Sequence, residues 1–462
     1  MQDQDTIIAL ATPSGAGAIA VIRVSGPKAI ELSNTLFKSI HNKHLPNQPT
    51  HSIHLGHIID GDRILDEVLL SLFKNPKSYT GEDVVEISCH GSHYIQAEIL
   101  QLYIRHGCRA AQPGEFTMRA FVNGKMDLSQ AEAVADVINS DSAAAHQIAM
   151  QQMRGGFSSE IKALRTELLN FASLIELELD FSEEDVAFAD QDQFKALLER
   201  IVKVLKYLMD SFSTGNAIKN GVPISIVGAP NVGKSTLLNA LLKEDKAIVS
   251  TIAGTTRDAI EDELIVEGIK FRFIDTAGIR QTDDSIESIG IEKTYNKMAQ
   301  SQVILYLLDV STISKTNIEL FLEEVQATKK KYPDAQCLVV LNKTDILHSN
   351  EVLTFLSKLK PLSISAKTGA GIETLKSHIL SLVQTGKLRN NDTIITNARH
   401  YDAIGNALQS IQAVRAGLES NISGDLLAID IRQALYHFGL ITGEISTDDL
   451  LGNIFTNFCI GK

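Results

Sequence analysis

Cysteine is scarce in this chain. Cys89, Cys108, Cys337 and Cys459 are its four thiols in 462 residues, with no C-x-x-C pair and no zinc-finger spacing. A disulfide framework is thereby excluded, and reduced thiols are the expectation. An excess of positive charge is missing too. Forty-three Lys and Arg stand against 56 Asp and Glu, a formal net charge of −13. No basic nucleic-acid coat is present, so any RNA contact has to use a local patch. Long apolar runs are absent: the longest, such as Val303–Leu308, fall far short of the ~20 residues that span a bilayer. The start, Met1-Gln2-Asp3-Gln4-Asp5, is acidic where a signal peptide is cationic. A cytoplasmic protein without membrane association is the expectation.

What is present reads as a globular protein, with 44% apolar and 21% charged residues. Its length suggests about three domains. Residues 1–122 mix strands (Ile19–Val24, Leu65–Phe73, Val84–Ser88) with helices (Ala29–Phe37, Ile95–His106), the pattern of a small α+β domain. Within it, His41–His51 reads as a loop, and His51, His54 and His57 as solvated residues of a polar connecting stretch. Cys89-His90-Gly91-Ser92-His93 superficially resembles a metal cluster but sits where a strand should turn into a helix. From Asp127, a plausible N-cap, helical periodicity takes over. Leu128, Ala131, Val134 and Ile138 form one face, Ile161 to Leu179 a second, and Phe194–Met209 a third. Helical faces return after Val383, through Ile404 to Leu418 and Leu427 to Phe438. The economical arrangement is a helical domain in two pieces, residues 123–220 and 385–462, with residues 221–384 inserted between them.

That inserted segment carries five guanine-nucleotide motifs in order. In Gly228-Ala229-Pro230-Asn231-Val232-Gly233-Lys234-Ser235-Thr236 the phosphate-loop pattern follows an apolar strand, Pro223–Val227, and opens a helix with Leu237, Leu238 and Leu241. Backbone N–H groups and the helix N-terminus suit phosphate, Lys234 suits the β- and γ-phosphates, and the Ser235 hydroxyl suits Mg²⁺. In Gly254-Thr255-Thr256-Arg257-Asp258, Thr256 can complete the Mg²⁺ shell and sense the γ-phosphate. Asp275-Thr276-Ala277-Gly278 adds a carboxylate near the metal and a glycine N–H for the γ-phosphate. In Asn342-Lys343-Thr344-Asp345, the Asp345 carboxylate pairs with the ring N–H and amine of guanine, which adenine cannot match. Ser365-Ala366-Lys367 then offers an N–H to the guanine oxygen. The nucleotide is GTP.

Four further signatures lie outside that segment. They are Ala11-Thr12-Pro13 with Arg23, Tyr79-Thr80-Gly81-Glu82-Asp83, Pro113-Gly114-Glu115-Phe116-Thr117 leading to Lys125-Met126-Asp127-Leu128, and the terminal Cys459-Ile460-Gly461-Lys462. With the nucleotide motifs they make the chain resemble, end to end, the MnmE (TrmE) family of tRNA-modifying GTPases. The resemblance implies a Ras-like P-loop GTPase domain inserted into an α-helical domain, preceded by an α+β domain that dimerises and binds a tetrahydrofolate derivative of 5-formyl or 5,10-methylene type. It also implies joint action with an FAD-dependent partner, MnmG, on carbon 5 of the wobble uridine of certain tRNAs, with folate as the carbon donor.

One departure from Ras-like enzymes has to be met. The residue after Gly278 is Ile279, and an aliphatic side chain cannot orient a water as glutamine does there. By resemblance a potassium ion substitutes, held by Asn231 and by oxygens of Ser250, Ile252 and Thr255 in Ser250-Thr251-Ile252-Ala253-Gly254-Thr255; neutral oxygens suit so weakly polarising a cation. A catalytic glutamate falls by resemblance on Glu287. The folate residues fall on Arg23, Glu82, Lys125 and Lys462, where a cation suits the glutamate tail and a carboxylate the pterin amine. Alone, each would read as an ordinary surface charge. Cys459 is expected in a catalytic role, on a tail anchored by Leu450, Leu451, Ile454, Phe455 and Phe458. A ribosome-assembly GTPase is the competing reading, since it shares the five motifs and also lacks the glutamine. Such proteins usually append a basic RNA-binding module, and nothing after Leu388 is strongly basic.

Overall fold

The computed structural model describes residues 5–180, 191–243, 262–274, 299–313, 318–333, 335–346, 360–382, 394–420, 422–446, 448–456, 458–459 and 461. They fall into two compact units. One comprises residues 1–139, 149–206 and 402–462, the other residues 140–148 and 207–401. The second is interleaved in sequence with the first.

In the first unit a seven-stranded sheet runs in the order β3-β4-β5-β6-β2-β1-β7. Its strands are β1 Ile7–Leu10, β2 Ile19–Ser25, β3 Phe37–Ser39, β4 Ser52–Asp60, β5 Arg63–Phe73, β6 Val84–His90 and β7 Arg109–Ala110. All pairs are antiparallel except β1 with β7. In β5, Val68, Leu70 and Leu72 are buried while Glu67 and Leu69 are exposed, the period of two that a half-covered strand requires. The inward face packs on α1 Ala29–Leu36 and α2 His93–Arg105, where Ile99, Leu102 and Tyr103 close the core.

The polar stretch containing three histidines is not a solvated connector. His54 and His57 belong to β4, and His54 is buried with its Nε2 2.8 Å from the Ser52 hydroxyl. Burial drives its pKa down, since a charged imidazole would lose its hydration. The strand is hidden in the sequence because its buried face is His54, Gly56 and Ile58, while the apolar Ile53 and Leu55 face outward. Cys89 does lie near the end of a strand that turns into α2, as the sequence suggests, with His90 closing β6, and burial pushes the Cys89 thiol up to about 11.

Helices complete this unit: α3 Glu115–Val122, α4 Leu128–Asn139, the latter part of α5 Ala143–Met153, and α6 Gly156–Asp180. To these are added the first part of α7 Gln191–Asn220, together with α11, α12 and α13, whose bounds are Ala398–Glu419, Gly424–Thr442 and Asp448–Phe455. Asp127 caps α4, its Oδ1 accepting from the Gln130 amide at 2.9 Å and the Ser129 hydroxyl at 2.7 Å. Along α4 the apolar face is shorter than its spacing implies, because Ile138 is exposed. Leu451 and Phe455 of α13 are buried against Leu128 and Ala131. Burial of two such side chains contributes about 1.5–3 kcal/mol each, enough to hold a terminal helix.

The second unit is built on a six-stranded sheet, β13-β12-β11-β8-β10-β9. Its strands are β8 Val222–Val227, β9 Asp262–Val266, β10 Ile269–Phe273, β11 Val303–Asp309, β12 Gln336–Asn342 and β13 Leu362–Ser363. Only β9 with β10 is antiparallel. The central strand, β11, is buried on both faces over most of its length, which explains its unbroken apolar sequence. Helices α8 Lys234–Lys243, α9 Ile318–Lys331 and α10 Ile372–Leu382 belong here. So do residues 140–148, 207–220 and 394–401: Ala145, Ile148, Ile218 and Ile394 share one apolar cluster. The architecture is a Ras-like P-loop α/β domain inserted into a helical domain that an α+β domain precedes.

Candidate functional site

The carboxyl ends of β8, β11 and β12 converge, the position at which parallel α/β sheets bind ligands. From β8 the chain enters a loop that α8 takes up at Lys234, so the loop feeds a helix N-terminus. Gly233 within it cannot be another residue. Its φ is +97°, and a Cβ there would lie 2.3 Å from Asn342 Nδ2.

Asn342 ties the motifs together. It ends β12 almost wholly buried; its Nδ2 donates to the Val232 carbonyl at 2.8 Å, and its Oδ1 accepts from the Ala366 amide at 2.9 Å. One amide thus fixes the phosphate loop and the Ser365–Lys367 loop in a single frame. Lys343 adds a second tie, its Nζ donating to the Asn231 carbonyl at 3.0 Å. Thr344 donates through its hydroxyl to Ile364 at 2.9 Å. The Ser365 hydroxyl donates to Asp345 Oδ1 at 2.6 Å and holds that carboxyl below the usual range, so it is an anion at neutral pH. A cavity of about 310 Å³ opens between these loops, lined among others by Gly233, Thr236, Asn342, Asp345, Ala366 and Lys367. Phosphate-loop Gly233 and the ionised Asp345 carboxylate, far apart in sequence, both face it.

The remaining phosphate-loop residues are placed as follows. Lys234 Nζ donates to the carbonyls of Gly228 and Ala229 at 2.8 and 3.0 Å. Ser235 is half-buried in the first turn of α8, Val232 is buried in the core, and Asn231 is exposed at φ 60°. The expected Ser250, Thr251, Ile252, Ala253, Gly254, Thr255, Thr256, Asp275, Thr276, Ala277, Gly278, Glu287 and Lys462 lie outside the described residues.

Asp309 was not singled out in the sequence, and it belongs here. It closes β11 in register with Asn342, 5% exposed, and its Oδ2 accepts from Lys343 Nζ at 2.5 Å. Burial would raise its pKa, but the hydrogen bonds from Lys343 and Ser311 outweigh that and leave it lowered. Its signal in the sequence is a lone carboxylate ending an apolar strand.

A second group of expected residues gathers in the other unit. Arg23 on β2 forms an ion pair with Glu86 at 2.7 Å, and its guanidinium lies 5.2 and 5.6 Å from the rings of Tyr79 and Phe116. Two residues on along the same face of β2, the Ser25 hydroxyl donates to Glu82 Oε2 at 2.7 Å. Arg119 on α3 also donates to Glu82, at 3.1 Å. Lys125 donates to the Pro76 carbonyl at 2.9 Å, and its stem passes Gly81, next in the chain to Glu82. The tail is delivered to the same place: Arg23 Nη1 donates to the Gly461 carbonyl at 3.4 Å, while Cys459 is exposed and its carbonyl accepts from the Gly114 amide.

The fold and the nucleotide site define a P-loop guanine-nucleotide-binding protein. Two family models then account for most of the sequence, one described as "GTP-binding protein TrmE N-terminus" over residues 6–125 and one as "MnmE helical domain" over residues 128–459. The protein named tRNA modification GTPase MnmE from Flavobacterium johnsoniae is 64% identical across 100% of both chains. Its counterpart from Christiangramia forsetii is 62% identical over the same full lengths, and that from Bacteroides thetaiotaomicron 51%. The chain belongs to the MnmE family of tRNA modification GTPases. Among solved structures, the G domain of the T. maritima FeoB iron transporter covers 35% of this chain and 99% of its own at 24% identity and a TM-score of 0.26, too partial a likeness to add to that assignment.

Proposed function

We propose that the chain hydrolyses GTP to GDP and phosphate in the service of tRNA modification. The observation that carries the reading is Asn342, whose buried amide joins the phosphate loop to the base loop around a cavity faced by ionised Asp345. Mg²⁺ would be held by Ser235 and Thr256, and potassium by Asn231, Ser250, Ile252 and Thr255. Of these donors, Ser235 in the first turn of α8 and the exposed Asn231, whose carbonyl Lys343 pins, fit such roles. Each ion would supply positive charge where the phosphates gather. Asn342, Lys343, Thr344, Asp345, Ser365, Ala366 and Lys367 bind and select the base, while Gly233, Lys234, Ser235 and Thr236 receive the phosphates.

In the other unit, Arg23, Glu82 and Lys125 form a donor set of cation, anion and cation suited to a tetrahydrofolate derivative, which carries a carboxylate tail and an amino-bearing ring. Folate, when bound, supplies the carbon unit. This chain's residues orient it, and Cys459 belongs to the tail whose Gly461 carbonyl accepts from Arg23. The product assigned is an aminomethyl or carboxymethylaminomethyl group at carbon 5 of the wobble uridine, made with the FAD-dependent MnmG. Support for a homodimer comes from the outer face of the α+β sheet, where Ile53, Leu55 and Leu69 stand exposed on adjacent strands. Among the described residues no helix is long and apolar enough to cross a membrane, in keeping with action in the cytoplasm on a soluble RNA. Nucleoside mass spectrometry of tRNA from cells lacking the gene tests the whole reading: loss of the wobble-uridine modification is expected, and an unchanged profile overturns it.

A further inference from the structure

We infer that Asp309 is a positioning residue that acts through Lys343 on Asn231, so that guanine recognition and the monovalent-cation residue share one ionic link. This rests on the GTP and potassium reading of the same site. Lys343 Nζ sits between two acceptors, the Asp309 carboxylate at 2.5 Å and the Asn231 carbonyl at 3.0 Å. Lys343 itself has a φ of 65°, in the left-handed region that non-glycine residues visit rarely, and a side chain only partly exposed. An ammonium on a flexible four-carbon stem has no fixed direction of its own. The nearly buried carboxylate gives it one. Released from Asp309, Lys343 would swing to solvent, and the left-handed Asn231 turn would lose the donor that pins its carbonyl.

Asp309 has a structural duty as well. Its Oδ1 accepts from the Ser311 amide at 2.9 Å and the Ser311 hydroxyl at 2.6 Å, capping a short 3₁₀ turn, Val310–Thr312. The two oxygens therefore divide the work, and they can be separated. In Asp309→Asn an amide oxygen keeps the cap, while an NH₂ group replaces the acceptor that Lys343 requires. Ser311→Ala removes the hydroxyl bond to the cap and leaves Oδ2 untouched.

The test measures release of a fluorescent GDP from full-length protein, the potassium concentration for half-maximal GTP turnover, and the unfolding midpoint without nucleotide. Asp309→Asn should release GDP about tenfold faster, the scale of one charge-assisted hydrogen bond, and should raise the half-activating potassium concentration several-fold. Ser311→Ala, which weakens the cap and leaves Oδ2 in place, should keep wild-type release whatever its midpoint, so that faster release in Asp309→Asn is not an effect of the cap. Combining Asp309→Asn with Lys343→Met should cost no more than Lys343→Met alone, because both break one link. Wild-type release in Asp309→Asn, or additive losses in the double variant, overturns the inference. Equal turnover of the wild type in potassium and in sodium would defeat the potassium reading, while the release measurement would still decide the role of Asp309.

Discussion

The amide of Gly114 donates to the carbonyl of Cys459 at 3.3 Å, joining the start of α3 to the end of the chain. Gly114 has a φ of +68°, and a Cβ there would lie 2.7 Å from the Phe455 carbonyl and 3.0 Å from the side chains of Phe455 and Phe458. The tail is seated, with Cys459 exposed and the Gly461 carbonyl meeting Arg23. Cys459→Ser should therefore leave folding and GTP hydrolysis near normal and eliminate tRNA modification. Both activities should be assayed on one purified variant; retained modification would make the thiol a bystander, and lost hydrolysis would make it structural.

Gly114→Ala should unseat that tail without touching any thiol. A left-handed residue gaining a Cβ against backbone costs about 1–3 kcal/mol. Limited proteolysis should cut the C-terminus sooner in this variant, and modification should fall with hydrolysis preserved. Unchanged cleavage would mean that the seat is not what holds the tail.

Asp345→Asn should shift preference from guanine to xanthine nucleotides, because the amide can meet the second ring carbonyl that replaces the amine. Ser365 donates to Asp345 Oδ1, and an amide oxygen can accept the same bond, so the loop should survive the change. Competition between GTP and XTP for one labelled nucleotide is the measurement. A variant still favouring GTP would show that the carboxylate does not read the base.

Asn231→Ala should abolish any difference between GTP turnover in potassium and in sodium at equal ionic strength, with nucleotide affinity largely intact. Glu287→Ala should slow turnover without weakening GTP binding, since a group that orients water acts in the transition state. Equal wild-type rates in the two salts would remove the basis for the first expectation, and a matching loss of affinity would give Glu287 a folding role.

Acid should loosen the α3 region first. Burial raises the Glu115 pKa, but hydrogen bonds from Arg109, the Gln112 amide and Arg119, with the Arg109 charge, outweigh it and leave the carboxyl below its ordinary 4.5. A lowered folded-state value means the carboxylate stabilises the fold above the unfolded value, and that this is lost as pH falls through the folded one. Stability should thus hold near neutrality and decline below about pH 4.5. Glu115→Gln should cost about 1–3 kcal/mol at pH 7 and flatten the acid limb. An unaltered limb would place the acid sensitivity elsewhere.

How far the sequence could be read follows from where the information lies. The phosphate-loop, Asn342–Asp345 and Ser365–Lys367 motifs were legible because each is contiguous and each lies at the end of a strand. The structure gathers Gly233, Lys234, Asn342, Asp345 and Ser365 within one frame. Asp309 was not legible, since its role depends on the register that sets β11 beside β12. β4 was missed because histidine, serine and glycine occupy positions where apolar residues would have marked a strand, and burial of His54 is decided by the strands around it. Helix α3 was obscured in a different way. Its Glu115, Phe116, Thr117 and Arg119 each serve a contact of their own, so no simple apolar face announces it. Arg23 and Gly461, 438 residues apart, meet only in three dimensions.

Lys234 supplies a last consequence. Its ammonium rests on the carbonyls of Gly228 and Ala229, oxygens of the very loop that is to receive phosphate. The loop is therefore braced from within, its lysine tying two of its own carbonyls to the helix that follows. A phosphate that arrives exchanges partners with a preformed cradle and does not have to organise a slack one, so most of its binding energy is left over for holding the nucleotide.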